Sequence, residues 1–338
     1  MYMFRSKFKN KIVAAAVLGC MLLTSCGNKP APSQTQNAAT KQDQTAASSE
    51  TSEATAKPFD PNEDLSKYDL KDDDSLEQIV SKMEAKYGID IVYGNDIRTE
   101  FVDQNETLRA AKFTNEKDIA IALRSINEGI GCLPKGFMQQ LPYGKHKILK
   151  LYLTGAITIE GTNGGTIPAF TSDTDDELYL TVEILDQGII NVPDVLHELT
   201  HIVDFKLQYD GLLNDADWGK LNPEGFVYDN NYIDNMAGKK NTENCFATER
   251  YVPHNTDCAI DDIWFYYSYS KVNAYEDRAT TLEDLIIYKM WNYEVAPELY
   301  KCPHIKAKAE YLLKLVEKDF KITDADKEAW TKAFKAII

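Results

Sequence analysis

The sequence has few histidines and few cysteines, and acidic residues outnumber basic ones. Lysine and arginine total 37 against 53 aspartates and glutamates, which leaves a formal net charge of −16. That balance argues against a nucleic-acid-binding protein and against charge-driven binding to anionic lipid. Only six cysteines occur, and no Cys-x-x-Cys spacing is present. Zinc ligation by cysteine pairs is therefore not expected.

Two of the five histidines stand in the pattern His-Glu-x-x-His, formed by His197, Glu198 and His201. The surrounding apolar residues recur at the spacing of an amphipathic helix, which places both histidines one turn apart on the opposite side. Two imidazoles so placed can bind one Zn²⁺. Glu198 lies about 100° further round the helix, where it can take a proton from a water on the metal. The alternative is a polar helix face that carries two histidines by coincidence.

This motif, with hydrophobic residues on both sides, resembles the signature helix of the zincin metallopeptidases. The resemblance implies an α+β fold in which a small mixed sheet lies over the active-site helix and the C-terminal half is mainly helical. Metzincins, one branch of that group, continue to a third histidine six residues beyond the motif, where this chain has Leu207. The third ligand is therefore expected further along the chain.

A carboxylate on the next long helix is the candidate third ligand. Apolar spacing predicts a helix from Asn273 to about Trp291. Glu276, near its start, would complete a His₂Glu zinc site with one position left for water. Asn273 and Glu276 also match a capping box, in which the Glu276 carboxylate would only accept the Asn273 N–H. Glu283, two turns further on, is the alternative ligand in that case.

The segment Glu276–Ala279, with Tyr269 seven residues before it, resembles the Tyr…Glu-Asp-x-Ala element of gluzincin-like metallopeptidases. That group includes the catalytic domain of anthrax lethal factor, the clostridial Pro-Pro endopeptidases and a set of zinc-peptidase lipoproteins. The resemblance implies that Glu276 is a zinc ligand. It also implies that Tyr269 stabilises the tetrahedral intermediate of peptide-bond hydrolysis.

The position one turn after Glu276 departs from that group. Many relatives carry a further acidic residue there, whereas this chain has Thr280. Carboxylates that support zinc-bound histidines typically change metal affinity or activity by about 10–100-fold. We predict that Asp277 takes the place of this supporting carboxylate, with Asp204 and Asp194 as alternatives.

The alternating segment 177–184 predicts a strand shortly before the histidine helix. In zincins a strand at this place forms the rim of the cleft, and an extended substrate pairs along its edge. The resemblance assigns that role to Leu178, Tyr179, Leu180 and Thr181. The acidic residues between Asp173 and Glu177 would keep such an open edge soluble. An internal strand without a free edge is the alternative.

The N-terminus has the layout of a secretory signal. Basic residues precede an apolar run, Ile12–Leu23, that is too short to span a bilayer with ease. The run ends in Leu23–Gly27, which resembles the bacterial lipobox and implies cleavage before Cys26 and acylation of that residue. We therefore expect a lipid anchor on the outer face of a membrane of the bacterial cell envelope. A signal peptide with an incidental cysteine and an uncleaved anchor are the alternatives.

The stretch from Gly27 to about Lys57 is rich in Ser, Thr, Gln, Ala and Asn and has almost no large apolar side chains. Such a segment cannot bury enough surface to offset its chain entropy, which predicts a disordered tether. The predicted organisation is a signal peptide over 1–25, the lipidated cysteine and tether over 26–66, and a zincin-like domain over 67–338.

An exported location also permits disulfides. Cys245 and Cys258 are close enough in sequence to close a loop. The sequence does not choose among the three possible pairings of Cys132, Cys245, Cys258 and Cys302.

Local patterns predict several further elements. In chain order these are a helix over 75–87, a strand over 89–93, a helical stretch over 106–128 broken near 113–115, a hairpin of strands 147–153 and 156–160, and helices over 306–319 and 324–338. The long segment 211–262 is rich in Asn, Asp and Gly and is a candidate lid.

Taken together, the sequence predicts a zinc-dependent metallopeptidase displayed as a lipoprotein. It would bind one Zn²⁺ per chain, act as a monomer on a peptide or protein substrate, and contact the membrane only through its N-terminal lipid. Two alternatives stay open: a non-catalytic zinc-containing binding lipoprotein, and an amidase that acts on cell-wall peptides. Glu198 favours catalysis, because a structural zinc site has no need of that carboxylate.

Overall fold

The computed structural model describes residues 59–103, 106–161, 166–229, 258–291 and 301–328. The predicted signal peptide, Cys26 and the tether up to residue 58 lie outside these ranges, as do Cys245 and the rest of 230–257. What was expected of them stays a prediction. None of the helices in the described ranges has the length and hydropathy of a membrane-spanning segment.

Among the described residues, the strands form two sheets of four. The first sheet has the order β1 (Ile89–Val92), β4 (Leu149–Thr154), β8 (Leu178–Glu183) and β7 (Ala169–Asp173). Its first three strands are parallel, and β7 is antiparallel at the edge. The second sheet is antiparallel, with the order β2 (Glu100–Asp103), β3 (Glu106–Ala110), β5 (Ile157–Ile159) and β6 (Thr166–Ile167).

The helices cover one face of the first sheet. In chain order they are α1 (Leu76–Tyr87), α2 (Glu116–Ile130), α3 (Val192–Tyr209), the short α4 (Asp215–Gly219), α5 (Ala274–Trp291) and α6 (Pro303–Asp319). Leu178 and Leu180 of β8 pack into the main core with the helices. Tyr179 points the other way, into a smaller apolar cluster shared with Phe101 of the second sheet. The result is a mixed α+β fold in which α3 and α5 pack directly against each other.

Helix α1 illustrates why several local predictions are confirmed. Ser75 forms a capping box with Gln78 at its start, and Gly88 ends it with a φ of 64°, a conformation that glycine adopts without steric cost. Its apolar face is buried, as the spacing predicts. The strand after it, the helix that follows Asn273 and the helix that ends at Asp319 are confirmed as β1, α5 and α6.

Two predicted elements are wrong. Residues 106–110 form strand β3, and the helix begins only at Glu116, after the Asn115 cap. The predicted hairpin is absent, because β4 and β5 belong to different sheets. The chain leaves the first sheet at Gly155, whose N–H donates to the Ala111 carbonyl at 2.8 Å. The short segment between β4 and β5 therefore connects the two sheets instead of forming a hairpin turn.

The predicted substrate edge at Leu178, Tyr179, Leu180 and Thr181 is also wrong. These residues lie in β8, which pairs with β4 on one side and with β7 on the other. Both faces of β8 are covered as well, and Tyr179 and Thr181 are fully buried. Alternation favours a half-exposed strand, but the second sheet covers the face that the pattern leaves to solvent. In the described sheet the terminal strand next to β8 is β7.

The candidate lid and the last predicted helix are described only in part. Residues 211–229 include α4, whose Trp218 is buried in the main core, so this part of the segment packs onto the domain. Residues 324–328 are helical, and the rest of the predicted helix 324–338 lies outside the described residues.

Candidate metal centre

Two packed helices carry the residues of the site. His197 and His201 lie one turn apart on α3, and Glu276 lies in the first turn of α5. The Asn273 side chain accepts the Glu276 N–H at 2.8 Å and so caps the start of α5. The Glu276 carboxylate is turned towards the histidines, so Glu276 is more than a capping residue. Thr200 adds a tie between the helices by donating to the Ala279 carbonyl at 3.1 Å.

The three side chains converge on one point. His197 Nε2 lies 2.9 Å and His201 Nε2 3.6 Å from the same carboxylate oxygen, Glu276 Oε2. One ligand atom from each residue lies within 4.8 Å of the other two. All three residues are buried, with 7–9% of their surface exposed. Two imidazole nitrogens and one carboxylate oxygen form the donor set of catalytic zinc sites, so these residues fit a Zn²⁺ ion.

Glu283 contacts the ring nitrogen of His197 that does not face Glu276. Its Oε2 lies 3.0 Å from His197 Nδ1, while His197 Nε2 faces Glu276. Glu276 and Glu283 are two helical turns apart and therefore share one face of α5. A carboxylate on the far nitrogen of a ligating histidine fixes the ring and its tautomer. Glu283, considered above as an alternative ligand, fills this supporting position.

Asp277 is not the supporting carboxylate, which corrects the prediction made for it. One residue along a helix turns the side chain by about 100°, so Asp277 points away from Glu276. It accepts hydrogen bonds from Trp218 Nε1 at 2.9 Å and Tyr228 at 2.7 Å, and pairs with Lys308 at 2.7 Å.

The two alternatives to Asp277 also have other partners. Asp204 forms a buried ion pair with Arg278, at 2.9 Å. Asp194 accepts from the Asn191 side chain. The sequence offers Glu283 only as an alternative ligand, because its contact with His197 Nδ1 depends on how α3 and α5 pack.

Glu198 is half-buried beside the cluster. Burial raises its pKa to about 7, although the neighbouring His201 and His197 oppose the shift. A carboxyl group that titrates near neutrality is suited to accept and return a proton. A cation held by the histidines would lower this pKa, because it favours the carboxylate form.

The ligand residues perturb one another strongly. Burial disfavours the charged form of Glu276, but the charge on His201 and the hydrogen bond from His197 hold its pKa below the usual range. Burial likewise disfavours charge on His197, but Glu276 and Glu283 raise its pKa well above the ordinary value. Glu276 raises the pKa of His201 in the same way. The raised pKa values favour protons on the ring nitrogens that a metal would need, so protons and a metal compete for these atoms.

Tyr269 lies at the edge of the cluster. It belongs to a short 3₁₀ helix, Ser268–Lys271, and its ring centroid is 6.1 Å from that of His197. The neighbouring Ser270 hydroxyl contacts Thr280 at 2.6 Å, and Thr280 donates to the Glu276 carbonyl at 2.8 Å. Thr280 therefore links the Tyr269 segment to the helix that carries Glu276. The resemblance to gluzincin-like proteins identifies position 280 only as one that lacks an acidic residue.

Among the described residues, the other histidines and cysteines do not belong to this cluster. His146 pairs with Asp173, and His304 stacks on Trp264. Cys258 is in a disulfide whose partner is neither Cys132 nor Cys302. Cys245, which is close enough in sequence to close a loop with Cys258, lies outside the described residues, as does His254.

A scan against protein-family models found no match, and neither did a search of curated proteins. A search of solved structures found the crystal structure of a "putative zinc-binding metallo-peptidase" from Bacteroides caccae. The two chains are 13% identical, the match covers 80% of this chain and 95% of that one, and the TM-score is 0.42. A score this low does not establish a common fold. The case for a metal centre therefore rests on the residues of the site.

Proposed function

We propose that this protein is a zinc-dependent metallopeptidase of the zincin type that cleaves internal peptide bonds. The observation that carries the proposal is the convergence of His197, His201 and Glu276 on one point with Glu198 beside them. A purely structural zinc site has no need of Glu198, a carboxylate beside the histidines that can accept a proton from a water on the metal.

Each side chain of the site has a separate role in the proposed reaction. His197, His201 and Glu276 hold the ion, which when bound supplies Lewis acidity and lowers the pKa of water. Glu198 accepts the proton of the attacking water and passes it to the leaving amine. Tyr269 donates a hydrogen bond to the oxyanion that develops on the scissile carbonyl. This role for Tyr269 is supported by its position against His197 and by the resemblance of its segment to gluzincin-like proteins.

The cellular setting is part of the same proposal. The lipobox-like segment before Cys26 supports an acylated lipoprotein on the outer face of a membrane of the bacterial cell envelope. The chain would act there as a monomer on a peptide or protein substrate. Metabolic labelling with a fatty acid tests the anchor: wild type should be labelled, and label retained by Cys26→Ser would refute acylation at that residue.

Zinc content and turnover, measured on the same preparations, test the peptidase proposal. Wild type should bind one zinc per chain and cleave members of a fluorogenic peptide library. Glu198→Gln should keep the zinc and lose about 10²–10⁴-fold in turnover, because only the proton acceptor is removed. Glu276→Ala should lose the zinc.

The alternative outcomes are equally defined. A wild type that takes up no zinc would refute the proposal. Zinc uptake with equal turnover by wild type and Glu198→Gln would remove Glu198 from the mechanism. Zinc uptake with no cleavage of any peptide would favour the zinc-containing binding protein.

A further inference from the structure

The helix face that carries the metal ligands continues as a line of aromatic rings. His197, His201, Phe205 and Tyr209 follow one another at intervals of four residues on α3. Each residue in this series lies about one turn beyond the previous one and about 40° further round the helix, so successive members are neighbours on its surface. The Phe205 ring stacks beside that of His201, with 6.5 Å between centroids and 21° between planes. The line therefore begins in direct contact with a candidate metal ligand.

Tyr275 of α5 joins this line beside the metal centre. Its ring meets Phe205 edge-on at 6.2 Å, and it immediately precedes Glu276 in the chain. The Arg278 guanidinium lies 4.9 Å from its centroid, and its hydroxyl donates to Gln208 at 3.4 Å. Tyr275 is thus fixed on several sides. Phe205, Tyr209 and Tyr275 are called the aromatic row below.

The aromatic row is open to solvent. Tyr275 is 36% exposed, Tyr209 is 63% exposed, and Phe205 is half-buried. Aromatic side chains carry large apolar surfaces, and their burial by a ligand is favourable. Rings that are already fixed cost little further conformational entropy when a ligand binds.

The far end of the aromatic row meets the edge of the first sheet. The Tyr209 ring lies 5.3 Å from that of Tyr143, and the Tyr143 hydroxyl donates to Asp173 at 2.5 Å. Asp173 is the last residue of β7, the terminal strand next to β8. The aromatic row therefore has Phe205 beside the metal centre at one end and Tyr209, close to the end of β7, at the other.

We propose that the aromatic row is a substrate subsite that binds an aromatic or large apolar side chain. The inference rests on the proposed peptidase function, because it takes the metal centre as the place of cleavage. One helical turn advances about 5.4 Å, while an extended peptide advances about 3.3–3.6 Å per residue. We take the peptide to run along α3 with the acyl side of the scissile bond over Phe205 and Tyr275. The side chain that meets these rings then belongs to the residue about two positions before the scissile bond.

Peptide hydroxamates test the proposal, because the hydroxamate group fixes the register at the metal. The probes are tripeptide hydroxamates that differ only in having Phe or Ser at the first, second or third residue from the hydroxamate. Their dissociation constants are measured on zinc-loaded wild type, Tyr275→Ala, Phe205→Leu and Val227→Ala. Val227 is 73% exposed and outside the aromatic row, so its variant is the matched control. Zinc content and acetohydroxamate binding are measured for every variant.

We expect wild type to prefer Phe over Ser by about tenfold, most strongly at the second residue. Tyr275→Ala should reduce this preference to about twofold and leave zinc content and acetohydroxamate binding unchanged. Phe205→Leu should weaken the preference less, because leucine keeps an apolar contact, and Val227→Ala should not change it. No preference in wild type, or a preference that survives both substitutions in the aromatic row, would overturn the proposal.

The same measurements separate this inference from the proposed function. Zinc uptake and turnover without a Tyr275-dependent preference would refute the subsite alone. If the protein takes up no zinc, the peptidase proposal fails, and the same sequences are tested as C-terminal amides. A preference for Phe that Tyr275→Ala abolishes would then still establish the aromatic row as a peptide-binding surface. Equal binding of the Phe and Ser amides would overturn it.

Discussion

Two faces of helix α5 carry charged residues, and they satisfy those charges in opposite ways. On one face Asp277 is paired with Lys308 at 2.7 Å, with both side chains fully buried, and about 100° further round the helix Arg278 is paired with Asp204. On the other face Glu276 and Glu283 meet His197, which is charged only if protonated. The first face pairs its carboxylate with a basic side chain of the protein itself. The second depends on protons or on a metal ion.

The face with Asp277 is called the scaffold face below, because its charges are paired within the protein. The face with Glu276 and Glu283 is called the site face, because its carboxylates can bind a metal ion. Buried charges that are paired by permanent partners add rigidity but leave no coordination position for a ligand. Buried carboxylates that face imidazoles can exchange the imidazole protons for a divalent cation. Glu276 and Asp277 are adjacent in sequence, and about 100° of helix rotation places them in these two environments. Variants on the two faces should therefore damage different properties.

Breaking the scaffold face should have the largest effect. Lys308→Met leaves the buried Asp277 carboxylate without its cation, which should lower the free energy of unfolding by about 3–5 kcal/mol. Adding Asp277→Asn should restore much of this loss, because the amide keeps an acceptor for Trp218 and Tyr228 without the charge. Urea unfolding of both variants measures the effect. Zinc affinity of the folded Lys308→Met protein should stay near that of wild type; a tenfold loss would contradict the separation of the two faces.

Lowering the pH should weaken zinc binding, because protons compete for the imidazoles. The pKa values of His197 and His201 are raised, so these residues keep protons above their ordinary pKa of about 6.5. Zinc affinity should fall about tenfold per pH unit for each proton displaced as the pH drops through the raised values. Titration calorimetry from pH 9 to pH 6 measures this.

The stability of the metal-free protein should change with pH in the opposite direction to its zinc affinity. A raised histidine pKa contributes stability that is complete below the unfolded-state pKa and is lost as the pH rises through the folded-state value. The melting temperature without zinc should therefore decrease from pH 6 to pH 9, whereas that of the zinc-loaded protein should increase. Parallel curves with and without zinc would show that the histidines do not hold the ion.

The two faces also show what the sequence could and could not predict. His197, Glu198 and His201 were predictable because their spacing alone fixes one helix face. Glu276 needed a family resemblance, since it lies 75 residues after His201 and its contact depends on how α3 and α5 pack. Glu283 was not predictable as the support of His197, because only that packing brings it to the ring.

The sheet was harder to predict than the helices. Strand β8 alternates like a half-exposed strand, but the second sheet covers its other face and β7 covers its edge. The segment around Gly155 looks like a tight turn, yet it joins two different sheets. Neither pairing is encoded in local periodicity, because both depend on strands far apart in the chain.

On the site face, Glu283→Gln should weaken zinc binding by about 10–100-fold while leaving the free energy of unfolding nearly unchanged. The amide keeps a hydrogen-bonding group near His197 Nδ1 but removes the charge that orients the ring and raises its basicity. Competition with a zinc-binding dye measures the affinity. Glu310→Gln, on the exposed surface of α6, is the control. Equal zinc affinity in Glu283→Gln and Glu310→Gln would show that Glu283 does not support the ligand.

The smallest expected effect lies between the two faces, at Thr280. Thr280→Val keeps the shape but removes the hydroxyl that joins Ser270 to the Glu276 carbonyl, at a cost of about 1 kcal/mol in unfolding free energy. Zinc affinity should not change, because no ligand atom is lost. Turnover should fall several-fold because the Tyr269 segment is less well fixed, and Thr280→Ser should restore it. If Thr280→Val instead weakens zinc binding as much as Glu283→Gln, Thr280 belongs to the support of the metal ligands.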